Sequence, residues 1–436
     1  MSKILVAGAG HGGLVAAIHL AKNGYDITVI EKENPDTIGH DWHDWLSLDA
    51  FDRSGIDRPD ESIYFPGMPQ GFRNPKATVM LRVPVGEDSI CMDRKLLISY
   101  LLSLAEKSGV KFIFNTEILS AVTDGAKVKG LNLRDNERIY AIYSDLVIDA
   151  AGMYSPVRRN LPPICGIEKE IDGTGVFHVY RAYFKNLTGE KTDPPYLINL
   201  FNQNIPGIGW TVSDENYVDI LIGKFGSAGP LTADEVNSSL DAFRKEFPFI
   251  GQEILRGGTF IDLPIKRMLP MLVCDGYAAI GDSAGMTVPL NGSGIILSMN
   301  AGKILAEAIL KAEGSYDKKS LWSYQYEYFH HYGKDLIIID KLKDFFNYVK
   351  GEQVDYLLEK EILTPELIAV ADGAPLTLTP KQIKHIIAVC PPLLKLIPPL
   401  AKNFRTLPFM DAVCRKMPEI YNEQAVKEWT EKYKAL

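Results

Sequence analysis

The chain has 436 residues, 46% hydrophobic and 23% charged, which is enough apolar material for two or three domains around a sizeable core. A formal net charge of −8 supplies no basic field, so nucleic acid is not an expected partner. Five scattered cysteines, Cys91, Cys165, Cys274, Cys390 and Cys414, form no C-x-x-C pair and no cluster with histidine, so neither a disulfide framework nor a metal site is expected.

The first element starts at Lys3, which leaves no room for a signal peptide. No uncharged apolar stretch is long enough to span a bilayer, and the expected location is the cytoplasm. Lys3 to Gly8 reads as a strand and Leu14 to Ala21 as a helix. Between them lies Gly8-Ala-Gly10-His11-Gly12-Gly13, a Gly-x-Gly-x-x-Gly turn. Gly8 permits the tight turn, Gly10 lets the backbone approach a pyrophosphate, and Gly13 lets the helix pack close to the strand. The helix start offers free N–H groups and a positive dipole end to phosphates. A second strand, Asp26 to Ile30, delivers Glu31, followed by Lys32, where an acid accepts both ribose hydroxyls. An acid there disfavours a 2′-phosphate, so the nucleotide held is FAD or NAD rather than NADP.

His40-Asp-Trp-His43-Asp-Trp45 admits two readings: indoles and imidazoles lining a ligand pocket, or a helix start capped by Asp41 or Asp44. Residues 50–87 read as a long irregular excursion that leaves and rejoins the first domain, with a strand near Ala77 to Leu81. Arg94 leads into an amphipathic helix, Lys95 to Ala105, ended by Ser108-Gly109. Strands follow at Lys111 to Phe114 and Thr116 to Val122, which contains Ile118, and a hairpin at Lys127 to Leu133 with Arg138 to Tyr143. A buried parallel strand then ends at Asp149 and turns through Ala151-Gly152 toward Arg158-Arg159. Open α/β sheets place ligands at such strand ends.

From Gly166 to Arg267 the texture is alternating strands, among them Val176 to Tyr183, Pro195 to Phe201 and Tyr217 to Ile222, which implies an inserted antiparallel sheet. Trp210, in Pro206-Gly-Ile-Gly-Trp210 between two of these strands, either faces a substrate or fills the core. Asp275 to Ile280 reads as a strand running into Gly281-Asp282, and Pro289-Leu-Asn-Gly292-Ser-Gly294-Ile295 opens a long helix. Two glycine-rich helix starts imply one ligand gripped at two places. Leu321 to Asp344 is an aromatic, charged helical stretch suited to interdomain packing, and adjacent His330-His331 point to different faces and hold no metal. The tail from Thr364 is helical; Ile383 to Met410 either rests on a membrane surface or caps the second domain as an ordinary layer.

On these residues the chain resembles the FAD-dependent geranylgeranyl reductase family, within the flavoprotein group that includes para-hydroxybenzoate hydroxylase. Four segments carry the resemblance: Gly8 to Gly13 with Glu31, Met92-Asp-Arg94-Lys-Leu-Leu, Asp149 to Arg159, and Gly281 to Ile295. It implies an α/β fold, with a Rossmann-type, glutathione-reductase-like FAD-binding domain, an inserted antiparallel substrate domain and a C-terminal helical region. The boundaries expected are 1–165 with 268–330, 166–267, and 331–436. It also implies that FAD is contacted by Gly8, Gly10, His11, Gly12, Gly13, Glu31, Lys32, Arg94, Ile118, Ala151, Gly152, Gly281, Asp282, Pro289, Gly292, Gly294 and Ile295. Three departures from the family pattern stand out: in the substrate-pocket motif Pro206 to Ser213, Ile208 stands in place of an aromatic and Val212-Ser213 in place of a Phe-Pro pair; His40 to Trp45 occupies the place of a Cys-Gly pair; and Ala151 that of an acid.

The expected activity is reduction of a C=C bond in an isoprenoid or other small apolar or aromatic substrate by hydride from reduced FAD. NAD(P)H or reduced ferredoxin, an electron-transfer protein, is the expected donor. His40 and His43 are candidate proton donors and Trp210 a candidate substrate wall. The alternative is an FAD-dependent monooxygenase acting on an aromatic or lipid-like substrate.

Overall fold

The protein was analysed as a computed structural model that describes residues 2–136, 138–365, 379–389 and 408–436. In chain order the first half runs β1 (Lys3–Ala7), α1 (His11–Lys22), β2 (Asp26–Ile30), β3 (His43–Ser47), α2 (Asp49–Ser54), β4 (Tyr64–Pro66), β5 (Gln70–Arg73) and β6 (Met80–Val83). It continues through β7 (Ser89–Asp93), α3 (Arg94–Lys107), β8 (Lys111–Ile113), β9 (Thr116–Asp124), β10 (Lys127–Asp135), β11 (Arg138–Tyr143), β12 (Leu146–Asp149) and α4 (Pro156–Arg159). Next come β13 (Val176–Asn186), β14 (Tyr196–Leu200), β15 (Ile208–Ser213), β16 (Tyr217–Phe225), α5 (Ala233–Glu246), β17 (Ile250–Pro264), β18 (Val273–Cys274) and β19 (Tyr277–Ala279). Helices α6 (Ile295–Lys311), α7 (Lys318–Tyr328), α8 (Lys334–Phe346), α9 (Gly351–Glu359), α10 (Pro380–Val389) and α11 (Glu423–Lys434) follow, with one π-helical turn, Phe329–Gly333, between α7 and α8.

The first sheet has the order β18-β19-β12-β1-β2-β8 and is parallel except at β18. Its central strands are near-continuous apolar runs because both faces are covered, and Ile4 to Ala7 and Leu146 to Ile148 have no exposed surface. Helix α1 packs between α3 and α6, and the antiparallel sheet β9–β11 lies against β12. The expected strand at Asp275 to Ile280 is the shorter β19, preceded by the antiparallel β18 through a turn at Asp275-Gly276, where Gly276 takes φ +74°.

The second sheet has the order β17-β13-β16-β15-β14-β5-β6. The period-2 pattern divides its faces. Tyr180, Ala182 and Phe184 with Val218, Ile220 and Ile222 pack on Val236, Leu240 and Phe243 of α5. The opposite set, Phe177, Val179, Arg181 and Tyr183 with Asp219 and Leu221, looks toward the first sheet. Helix α5 is absent from the strand-only expectation for 166–267; its start is fixed by a capping box between Thr232 and Glu235. Trp210 does not sit in a connection, because Ile208–Ser213 is itself the strand β15.

Two further expectations are corrected. His40 to Trp45 starts no helix: His43–Ser47 is a strand that pairs with β7, which pairs in turn with β4. The excursion through 50–87 does not simply rejoin the first sheet; β5 pairs in parallel with β14, and β6, which begins at Met80, completes the edge of the second sheet. The strand begins late because Ala77 takes φ +54°, in a turn closed by Asn74. Both readings of Ile383 to Met410, a membrane-surface stretch or a cap on the second domain, fall largely on residues outside those described, and the described parts of the C-terminal region pack in two places. Met410, Val413, Val426, Trp429 and Tyr433 join the core of the first sheet, whereas Val354, Leu357 and Leu358 of α9 pack on Leu200 and Phe201.

Candidate active site

The glycine-rich turn after β1 meets the end of β12 and the start of α6. A Cβ on Gly8 would lie 2.7 Å from the Ala150 carbonyl oxygen, and one on Gly13 would lie 2.6 Å from Ala150 Cβ. Gly8 also takes φ +89°, so no other residue fits there without strain. A Cβ on Gly10 would be 3.1 Å from the same carbonyl, and one on Gly12 would be 2.5 Å from the Ser298 carbonyl of α6. The two predicted helix starts therefore face one groove.

Neither helix start is capped by a side chain, since Gly10 and Gly294 are the N-cap residues. The first intrahelical bonds are Leu14 N–H to the Gly10 carbonyl and Ser298 N–H to the Gly294 carbonyl. The amides before them are left for a ligand. Glu31, buried at the end of β2, accepts from Ala9 N at 2.8 Å and Glu33 N at 3.0 Å, so it also fastens the turn. Lys32 is exposed and lies 4.0 Å from Glu33. Ile118 is buried in the core on β9, the strand whose Thr116 amide donates to the Glu31 carbonyl.

Asp149, fully buried, pins the far side of the groove. It accepts from Ala151 N, Ser155 Oγ, Tyr277 Oη and Ser283 Oγ at 2.6–3.1 Å. Gly152 takes φ +83° with open space where a Cβ would stand. Arg158, expected in a basic pair beside the ligand, is fully buried and donates to the carbonyls of Ser283, Met153 and Lys169, so it is structural. Gly281 takes φ +66° under Ser298 Oγ. The Asp282 carboxyl has no hydrogen-bond partner among the described residues and burial raises its pKa, although the Asp282 backbone carbonyl accepts from Gly285 N. A Cβ on Gly294 would come 3.4 Å from Asp282 Oδ1. Pro289 is buried, and Gly292 turns at φ +74° beside Leu263.

At the groove's edge Arg94, the first residue of α3, makes a two-pronged ion pair with Asp44 of β3, both bonds 2.6 Å. Burial works against that charge, but Arg94 holds the Asp44 carboxyl below its usual range. His11 Nε2 is buried without a partner. Burial and then Arg94 lower the His11 pKa to about 3. His40, whose ring lies 4.4 Å from that of Trp42, is held at about 4 by the surrounding protein and Arg94. It is not among the residues lining the neighbouring cavity, and its surface is exposed. His43 lines that cavity, with its backbone N–H on Tyr183 Oη at 2.7 Å and its ring 3.9 Å from Asp93. Burial and Arg256 lower its pKa.

The cavity, about 1290 Å³, runs between the two sheets. Arg94 and Gly292 to Ile295 border it at one end, Leu357 and Ile362 at the other, and Trp45, Ile198, Trp210 and Leu221 stand along its wall. It exceeds the usual small-molecule pocket of roughly 300–1,000 Å³. Two residues that the sequence reading missed, Arg181 and Asp219, gather at the groove end with Trp42 and Asp44 of the stretch it singled out. Their signal was there for Arg181, a charged residue at an inward position of an apolar alternation.

Residues 1–190 match the FAD binding domain family. The digeranylgeranylglycerophospholipid reductase of Sulfolobus acidocaldarius is 25% identical over 374 residues, covering 83% of this chain and 81% of that protein. The enzyme of the same name from Methanosarcina acetivorans is 26% identical, covering 82% and 87%. The chain is similar along most of its length to these digeranylgeranylglycerophospholipid reductases. Among solved structures, the geranylgeranyl bacteriochlorophyll reductase-like protein of Thermoplasma acidophilum superposes with TM-score 0.74 at 19% identity, covering 91% of this chain and 98% of that one. The match over residues 1–190 supports FAD as the bound nucleotide, and the superposition shows the mixed α/β fold. The groove fits that nucleotide on its own chemistry as well: bare glycines, unspent amides at two helix starts, and a partnerless Asp282 carboxylate suited to a hydroxyl-rich chain.

Proposed function

We propose that the protein reduces a C=C bond of an isoprenoid or other apolar unsaturated substrate. The observation that carries this reading is the cavity: apolar, long, and bordered at one end by the same Arg94 and Gly292 to Ile295 assigned to FAD. When bound, FAD supplies two-electron hydride chemistry.

The chain's own residues do the rest. The amides of His11, Gly12 and Gly13 take the diphosphate, Glu31 the adenosine ribose, and Asp282 the ribityl hydroxyls. The first turn of α6 lies along the ring. Trp45, Trp210 and Ile198 clasp the substrate and exclude water, which holds the reacting carbon in place. His43, neutral and on the cavity wall, passes a solvent proton to the second carbon, with His40 behind it toward the groove. The FAD-binding part comprises 1–165 and 268–330 without the β5–β6 hairpin, which belongs with the substrate-covering sheet. NAD(P)H or a reduced ferredoxin loads the electrons, and the C-terminal region makes peripheral membrane contact where lipid substrates reside.

The test is anaerobic photoreduction of the FAD-loaded protein, followed by addition of a panel of apolar unsaturated isoprenoids, conjugated and unconjugated. Flavin reoxidation with two hydrogens gained per double bond supports the reading. Reoxidation only with oxygen, giving an oxygenated product, replaces it with the monooxygenase.

A further inference from the structure

At the groove end of the cavity, guanidinium and indole groups alternate. Arg94 Cζ lies 5.1 Å from the Trp42 ring, Arg181 Cζ lies 5.1 Å from the same ring, and Arg181 Cζ lies 5.3 Å from Trp210. Each guanidinium is held from behind by a carboxylate, Asp44 for Arg94 and Asp219 for Arg181. Arg181 is 4% exposed and lines the cavity. Its Nε donates to Asp219 Oδ1 at 2.9 Å; its Nη2 donates to Asp219 Oδ2 at 2.6 Å and to Tyr183 Oη at 3.0 Å. Nη1 makes no hydrogen bond to any described residue. A buried charge with two unspent N–H groups beside a ligand cavity needs an acceptor.

Hydride addition to a C=C bond leaves an electron pair to place. An isolated alkene must take a proton first and pass through a carbon cation, which a fixed guanidinium beside it opposes. A C=C bond conjugated to a carbonyl instead moves the pair onto oxygen, which a guanidinium favours. Burial supports the same choice, since it keeps the His43 ring neutral and the Tyr183 phenol a poor acid.

We infer that Arg181 is a catalytic residue that holds the oxygen of an α,β-unsaturated carbonyl group carried by an apolar substrate. This rests on the reductase reading above. Two electrons from the reduced flavin arrive as hydride on the β-carbon and the C=C π pair becomes a C=C–O⁻ enolate. Arg181 Nη1 donates to that oxygen, and a solvent proton then reaches the α-carbon to give the saturated carbonyl compound.

The test compares two probes on photoreduced wild-type protein without oxygen: farnesal, which carries the conjugated aldehyde, and farnesene, a hydrocarbon of like skeleton. Farnesal reoxidising the flavin at least tenfold faster supports the inference. Farnesene reacting as fast overturns it and leaves the reductase reading intact, whereas no reoxidation by either overturns both. A measurement without turnover uses para-octylphenol, an oxyanion mimic, on the oxidised holoprotein, followed by the ultraviolet band of its phenolate. Arg181 predicts that the bound phenol ionises at least tenfold more readily than in solution. That gain is lost in Arg181→Met combined with Asp219→Asn, which strands no charge, and partly kept in Arg181→Lys. An equal gain in wild type and the double variant refutes the role.

Discussion

Substituting Gly12 by alanine tests whether both helix starts grip one nucleotide. The added Cβ would lie 2.5 Å from the Ser298 carbonyl oxygen and 2.8 Å from Ser298 Oγ, both on α6. Non-bonded heavy atoms settle near 3.5 Å, so the starts of α1 and α6 must part by about 1 Å. The contact has no slack on the other side either, because a Cβ at Gly302 would sit 2.6 Å from the Gly12 carbonyl. Overpacking of this kind costs about 1–3 kcal/mol of stability. Parting the helices also loosens at least one charge-assisted hydrogen bond to the diphosphate, worth about 1.5–3 kcal/mol, which weakens FAD binding about 10- to 150-fold. Gly173→Ala is the control, since nothing lies within 4 Å of its Cβ position. Titrating flavin-free protein with FAD by flavin fluorescence gives both affinities. Wild-type affinity in Gly12→Ala would refute the shared groove.

Two more outcomes are expected. His11 is held near pKa 3 in the folded protein against about 6.5 unfolded. The unfolded chain therefore binds the extra proton between those values, and the contribution is full above pH 6.5 and is lost as pH falls toward 3, by at most about 1.4 kcal/mol per pH unit. Urea unfolding at several pH values should show a shallower acid decline for His11→Gln than for wild type, and parallel curves would contradict it. Asp355, 3% exposed on α9, accepts from Asn74 Nδ2 at 2.7 Å and Lys76 N at 3.1 Å, and pairs with Lys76 Nζ at 3.4 Å. Asp355→Ala should cost about 1–3 kcal/mol and speed hydrogen exchange in Gly351–Glu359. Unchanged exchange there would show that the anchor is idle.

The nucleotide groove was legible because its demands are local. A glycine at φ +89°, a helix that needs no cap and an acid at a strand end are each written in a few neighbouring residues. Arg181 was not, because its partner Asp219 lies on another strand and its indole neighbours come from β15 and from the segment before β3. His40 to Trp45 was read for its bulky residue types, yet the period that decides it is the strand's: Asp44 turns to Arg94 while Trp45 stacks on Tyr196 at 5.1 Å. Helix α5 was missed although Thr232-x-x-Glu235 spells a capping box, with Val236, Leu240 and Phe243 at helical spacing behind it. Neighbouring strand patterns on both sides outweighed it. The parallel pairing of β5 with β14 joins residues more than a hundred positions apart and leaves no local mark.

That pairing stitches the molecule. Gln70 to Arg73 lies in register with Tyr196 to Asn199, so the stretch of chain between β3 and β7 is sewn into the opposite sheet before it returns. A jaw-like swing of one sheet away from the other would have to tear this seam, and with it the Arg73 ion pair to Glu246 on α5. A long apolar ligand of the cavity would then have to enter past one end of it rather than between parting sheets, and α9, which lends Leu357 to the lining and is anchored through Asp355, stands at such an end.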